Sequence, residues 1–178
     1  HHTFSFANYY NPERMNFGTL RVLNDDFIAP SKGFEMHPHE NMEIITIPLT
    51  GSLKHTDNTG NFGIIHSGEV QVMSAGKGIK HSEFNPSDSE IANLLQIWIL
   101  PKVQDIDARY TQKSFSEKEM DNKFVNIVSP IKDSESLWIN QDAYLYLSRV
   151  HKDKALQYNL VNKNSGVYIF VIEGNINV

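Results

Sequence analysis

Apolar residues in this chain come in short runs broken by turn formers. The runs fall at residues 20–23, 43–47, 63–65, 69–73, 94–100, 143–147 and 167–172, and they are rich in Ile, Val, Leu, Tyr and Phe. Between them stand Thr50-Gly51-Ser52, Asp57-Asn58-Thr59-Gly60 and Ser67-Gly68. β-branched and aromatic residues suit the pleated surface of a sheet, and Gly, Asn and Asp supply the backbone angles of tight turns. The pattern predicts an all-β protein, an antiparallel sandwich or barrel. Helix is scarce; Ser116-Glu117-Lys118-Glu119-Met120 predicts one capped turn at most.

Pro101 ends the run around Trp98, and the polar stretch from Lys102 to Lys123 reads as a connection between two units. The first unit covers residues 1–115, with the connection reaching about residue 123, and the second covers 124–178. Residues 44–53 align without gaps with residues 167–176, a run, a turn glycine and a returning run. In that register Leu160 and Asn162 stand where His37 and His39 stand in the first unit, so a second copy would lack its imidazoles.

Composition narrows the chemistry. The 178 residues are 40% hydrophobic and 21% charged, the balance of an ordinary globular chain with a real core. A net charge of −5 and the lack of Lys/Arg runs leave no electrostatic footprint for nucleic acid or an anionic membrane surface. No apolar stretch is long enough for a membrane helix and no signal-peptide pattern opens the chain, so it reads as cytoplasmic. The first residue is not Met, residues before it are expected to be missing, and His1 is given no role. With no cysteine, thiolate ligands and a cysteine nucleophile are excluded; any metal must be held by histidine and carboxylate.

Those groups are present at telling intervals. His37-Pro38-His39 is followed about forty residues later by His81-Ser82-Glu83. On a strand, residues two apart point to one face, about 6.5 to 7 Å apart. Two such pairs can converge on one ion, and a mixed N/O set suits iron, manganese, nickel, copper or zinc. Glu43, four beyond His39 and in phase with it, competes with Glu83 for the fourth position. Pro38 cannot donate to a ladder, which places its strand at an edge or a bulge. Gly76 and Gly78 let the backbone turn sharply before His81. Phe34, Met36 and Met42 are candidates for an apolar mouth, and Gln96, Trp98, Gln71 and Met73 for its walls. His55, His66 and His151 stand singly among polar neighbours and read as solvated.

Taken together these residues resemble the pirins, members of the cupin superfamily of small β-barrels. The first cupin motif is nearly met by His37, His39, Glu43 and Gly51, with Ser31 in place of its leading glycine. The second is met by Gly78, His81 and Asn85, with Gly76 in place of its proline. Specifically pirin-like are residues 2–7, Gly33-Phe34 before His37-Pro38-His39, and residues 71–83. The resemblance implies two stacked cupin barrels, a bicupin, the first holding iron or another divalent metal and the second without a metal motif. It implies the ligands His37, His39, His81 and Glu83, with Glu43 left to orient a ligand or move a proton, so that Glu83 and Glu43 are the candidate catalytic groups. It further implies either a quercetin 2,3-dioxygenase, opening a flavonol ring with O2, or a metal-dependent regulatory module without turnover. Pirins run roughly fifty residues further, so the second barrel is expected to be incomplete here, with an edge that is disordered, open, or covered by another copy or a protein partner.

Overall fold

The computed structural model describes residues 1–178 apart from Asp133. Nine strands form the first unit: β1 (Leu20–Ile28), β2 (Gly33–His39), β3 (Glu43–Thr50), β4 (Ser52–Asp57), β5 (Phe62–His66), β6 (Glu69–Ser74), β7 (Ile79–Phe84), β8 (Ala92–Ile99) and β9 (Arg109–Ser114). They make two antiparallel sheets, one in the order β1-β8-β3-β6-β9 and one in the order β2-β7-β4-β5. Ile28 and Leu94 of the first sheet pack with Leu53 and Ile65 of the second, closing one end of the space between them.

The run Ile44-Ile45-Thr46-Ile47 in β3 is buried without a break. Both faces of its sheet are covered, and a strand covered on both sides needs no polar face. Ile44 joins Met73, Ala75 and Ile79, whereas Ile45 and Ile47 join the larger cluster of Val70, Val72, Leu95, Ile97 and Ile99. That larger cluster is shared with Ile127, Val128, Leu137 and Ile139 of the second unit, where β10 (Val125–Ser129) pairs in parallel with β11 (Leu137–Trp138) and antiparallel with β12 (Leu145–Leu147).

Three expectations change. The polar stretch from Lys102 to Lys123 is not all connection, since β9 within it extends the first sheet through register pairs such as Met73 with Tyr110 and Gln71 with Gln112. An edge strand exposes one side, so it can be polar enough to escape a hydrophobic reading. Glu117–Met120 forms a 3-10 turn, but the Ser116 side chain makes no capping bond. Residues 167–172 form no strand with any of the described residues, and the apolar side chains of that run are roughly half exposed. A strand exists only where another strand takes its backbone donors and acceptors, so the apparent echo of residues 44–53 is not realised as a paired hairpin. Among the described residues no helix is long and apolar enough to cross a membrane.

Candidate metal centre

β2 lies at the edge of its sheet, as Pro38 requires, and a bulge interrupts its pairing with β7 between Phe34 and His37. The extra residue re-phases the strand, so that His37 stands opposite His81 while Phe34 stands opposite Glu83. β4 flanks β7 on the other side, with Asp57 opposite His81 and His55 opposite Glu83. Gly76 and Gly78 both take positive φ, at 50° and 136°, in the turn that delivers β7.

The imidazoles meet. Ring centroids lie 4.8 Å apart for His37 and His39, 4.5 Å for His37 and His81, and 4.9 Å for His39 and His81. One nitrogen from each of the three falls within 4.8 Å of the others. Glu83 joins His81 in a second group, at the same spacing, whose third member is His55. His81 is common to both: three of the four sequence-predicted ligands share one point, and Glu83 is grouped with His81 and with His55, a residue read as solvated.

Each donor is prepared for a cation. The Nδ1–H of His37 donates to the Glu35 carbonyl at 2.7 Å, which leaves Nε2 bare. Burial, reinforced by the neighbouring His37, holds His39 down at about 4; burial and the other imidazoles hold His81 at about 3. Both are neutral at pH 7 with a free lone pair. Burial pushes the Glu83 carboxyl up to about 7 against the pull of Gln96, whose Nε2 donates to Oε2 at 3.0 Å. Thr46 sets that amide by donating to Gln96 Oε1 at 3.1 Å. His81 Nε2 and Glu83 Oε1 are buried and have no hydrogen-bond partner. The unpartnered buried lone pairs on the neutral His81 imidazole and the Glu83 carboxyl fit a divalent metal, which satisfies them and stabilises the ionised acid. Trp98 stands 4.8 Å from the His39 ring, between it and Phe6, and a cleft of about 340 Å³ opens beside His39, Asn58 and Lys80.

Glu43 is placed elsewhere. Its Oε2 accepts from Ser74 Oγ of β6 at 2.7 Å and from the backbone N–H of Asn140 in the second unit at 3.2 Å. Burial raises its pKa while those two bonds and the charge of Arg109 lower it. The structure does not bring it to the histidines, because β3 runs in the opposite sheet and odd-numbered residues there point outward, with Ile45 and Ile47. Glu43→Ala should leave metal stoichiometry unchanged and lower the unfolding free energy by about 1–3 kcal/mol, since it strands the Ser74 hydroxyl and the Asn140 N–H; elemental analysis and urea unfolding together check this.

Of the singly read histidines, His66 and His151 are exposed, but His55 is fully buried against Asp57. A signal for it existed: His55-Thr56-Asp57 has the same alternate spacing as His37-Pro38-His39 and His81-Ser82-Glu83. Phe34 and Met36 are exposed on β2, whereas Met42 packs inward with Ile44 and Trp98.

Comparison with known proteins establishes the family. The family model described as Pirin matches residues 1–99, and the one described as Quercetinase C-terminal cupin domain matches residues 126–178. The chain belongs to the pirin family. It is an all-β cupin protein. A protein named quercetin 2,3-dioxygenase from Escherichia coli is 43% identical over 177 residues, covering 99% of this chain and 75% of the relative. Among solved pirins, the crystal structure of YhhW from E. coli superposes with a TM-score of 0.77 at 48% identity, covering 82% of this chain and 61% of that one. The same bacterial pirin in complex with nickel(II) gives a TM-score of 0.76 at the same identity and coverage.

Proposed function

We propose that this pirin is a metal-dependent dioxygenase that opens the ring of a flavonol such as quercetin with O2, and that His37, His39, His81 and Glu83 hold one divalent transition metal. The observation that carries the reading is the convergence of three imidazoles beside a buried, unpartnered Glu83 oxygen. Iron heads the candidates, with manganese, nickel, copper and zinc compatible with the same donors. A bound metal supplies Lewis acidity toward the flavonol oxygens and electron transfer with dioxygen.

The protein's own groups do the rest. Glu83, ionised beside a bound metal, is the proposed acceptor of the flavonol hydroxyl proton, with Gln96 steadying its Oε2. Glu43, committed to Ser74 and the Asn140 N–H, is not proposed as that acceptor. The cleft at His39 gives an aromatic ligand its approach, and the Trp98 ring walls the far side of His39. One O2 enters and one carbon monoxide leaves, both oxygen atoms otherwise staying with the opened product.

The test is single-turnover. Metal-loaded protein is mixed with quercetin without oxygen, then oxygen is admitted. Loss of the flavonol absorbance with release of one carbon monoxide per ring supports the dioxygenase. Tight flavonol-independent metal binding without any ring opening removes it and leaves a metal-dependent regulatory module.

A further inference from the structure

We propose that Asp57 and His55 are positioning residues: they fix the tautomer of His81 so that its Nε2 lone pair, and not an N–H, faces the cation. The inference rests on the metal-site reading above and names residues that it does not use as ligands.

The chain of bonds leaves one proton arrangement. Asp57 Oδ1 accepts from Thr59 N at 2.9 Å, Thr59 Oγ1 at 2.7 Å and Asn61 N at 3.0 Å. Its Oδ2 accepts from Asn61 Nδ2 at 3.0 Å and lies 3.1 Å from His55 Nε2. Burial raises the Asp57 carboxyl, but the bonds from Thr59, His55 and Asn61 outweigh it and hold it at about 2. An ionised carboxylate only accepts, so His55 Nε2 carries the proton. A neutral imidazole carries a single N–H, so with the proton on Nε2 the Nδ1 of His55 is bare. That nitrogen lies 3.4 Å from His81 Nδ1, and two bare or two protonated nitrogens would repel. His81 Nδ1 therefore carries the proton and donates. A neutral imidazole has one N–H, so His81 Nε2 is bare, and it is the buried atom found without a partner. The Tyr110 ring lies 4.6 Å from that of His55 and inclined by 32°, which holds the middle link in plane.

The arrangement can be inverted by one isosteric change. In Asp57→Asn the amide nitrogen is disfavoured at the Oδ1 position, where three donors point; it takes the Oδ2 position, where Asn61 Nδ2 alone must give way, and donates to His55 Nε2. His55 then carries its proton on Nδ1 and donates to His81 Nδ1, and the His81 proton moves to Nε2, where the metal should bind. Outer partners of this kind typically change metal affinity by about 10–100-fold.

The experiment records histidine ¹⁵N shifts of the metal-free protein and titrates nickel(II) by calorimetry, for wild type, Asp57→Asn, His55→Phe and Thr59→Ala. Expected are an Nδ1–H tautomer of His81 in wild type, an Nε2–H tautomer with about 10–100-fold weaker nickel binding in Asp57→Asn, and loss of the pure Nδ1–H signature in His55→Phe. Thr59→Ala, which loosens the same turn but keeps the carboxylate, should keep the wild-type tautomer. A metal-free wild type with His81 protonated on Nε2 overturns the proposal even if every variant fails to fold. An unchanged tautomer in folded Asp57→Asn does the same. Nickel failing to bind wild type while the tautomers follow the predicted pattern instead refutes the metal-site reading.

Discussion

Protein carrying His81→Ala should emerge from metal loading and dialysis with almost no metal bound. His81 belongs to both groups of converging donor atoms, one with His37 and His39 and one with His55 and Glu83, so its loss breaks each. Structural sites of four ligands bind with roughly 10–16 kcal/mol in total, or about 3 kcal/mol per ligand, which is on the order of a hundredfold or more in affinity. Loss of the imidazole also removes the group that keeps His55 Nδ1 partnered in the buried interior. Elemental analysis gives the stoichiometry, and far-UV circular dichroism confirms that the sheets remain. His66→Ala, on an exposed residue outside both groups, should retain full metal content. A His81→Ala protein that folds and retains one metal per chain would remove the proposed centre.

Glu83→Gln should stabilise the metal-free protein at alkaline pH and cease to do so in acid. The folded state raises this carboxyl from 4.5 to about 7, chiefly through burial, so the folded state holds the proton more tightly than the unfolded chain. Above pH 7 both states are ionised and the buried charge costs the fold about 3 kcal/mol, the equivalent of that rise. As pH falls from 7 toward 4.5 the folded state takes up the proton first and the cost fades; below 4.5 it is gone. The variant, which keeps an oxygen for Gln96 but bears no charge, should therefore unfold at higher urea than wild type at pH 8 by up to about 3 kcal/mol, and at the same concentration near pH 4.5. His39 and His81, held at about 4 and about 3, destabilise both proteins alike in acid and cancel in the difference. Saturating metal should reverse the order at pH 8, because only the carboxylate supplies a charged ligand. Equal stability of the two metal-free proteins at every pH would mean that Glu83 is solvated.

How far the chain could be read in advance depended on whether a property was local. Alternate spacing placed His37 with His39 and His81 with Glu83, and Pro38 marked an edge strand, because both follow from the pleat and from a missing N–H. The same spacing in His55-Thr56-Asp57 is masked by the polar turn beyond it, yet Asp57 turns those polar groups inward as donors to its carboxylate. Glu43 misled for the converse reason. It keeps phase with His39 along the chain, but Asn41 stands at φ 47° in the turn between β2 and β3, and after that turn the chain enters the other sheet.

Residue order alone settled the all-β character, the exclusion of thiolate chemistry and the pairs of donors that share a strand face, since turn propensity and side-chain alternation act within a few residues. Only the tertiary structure decided which pairs face one another. The bulge in β2 sets His37 against His81, the neighbouring β4 brings Asp57 and His55 against His81 and Glu83, and the coverage of both faces of β3 sends Glu43 to the second unit. Register and burial arise between strands distant in sequence, where a shift of one residue would turn every donor to the opposite face.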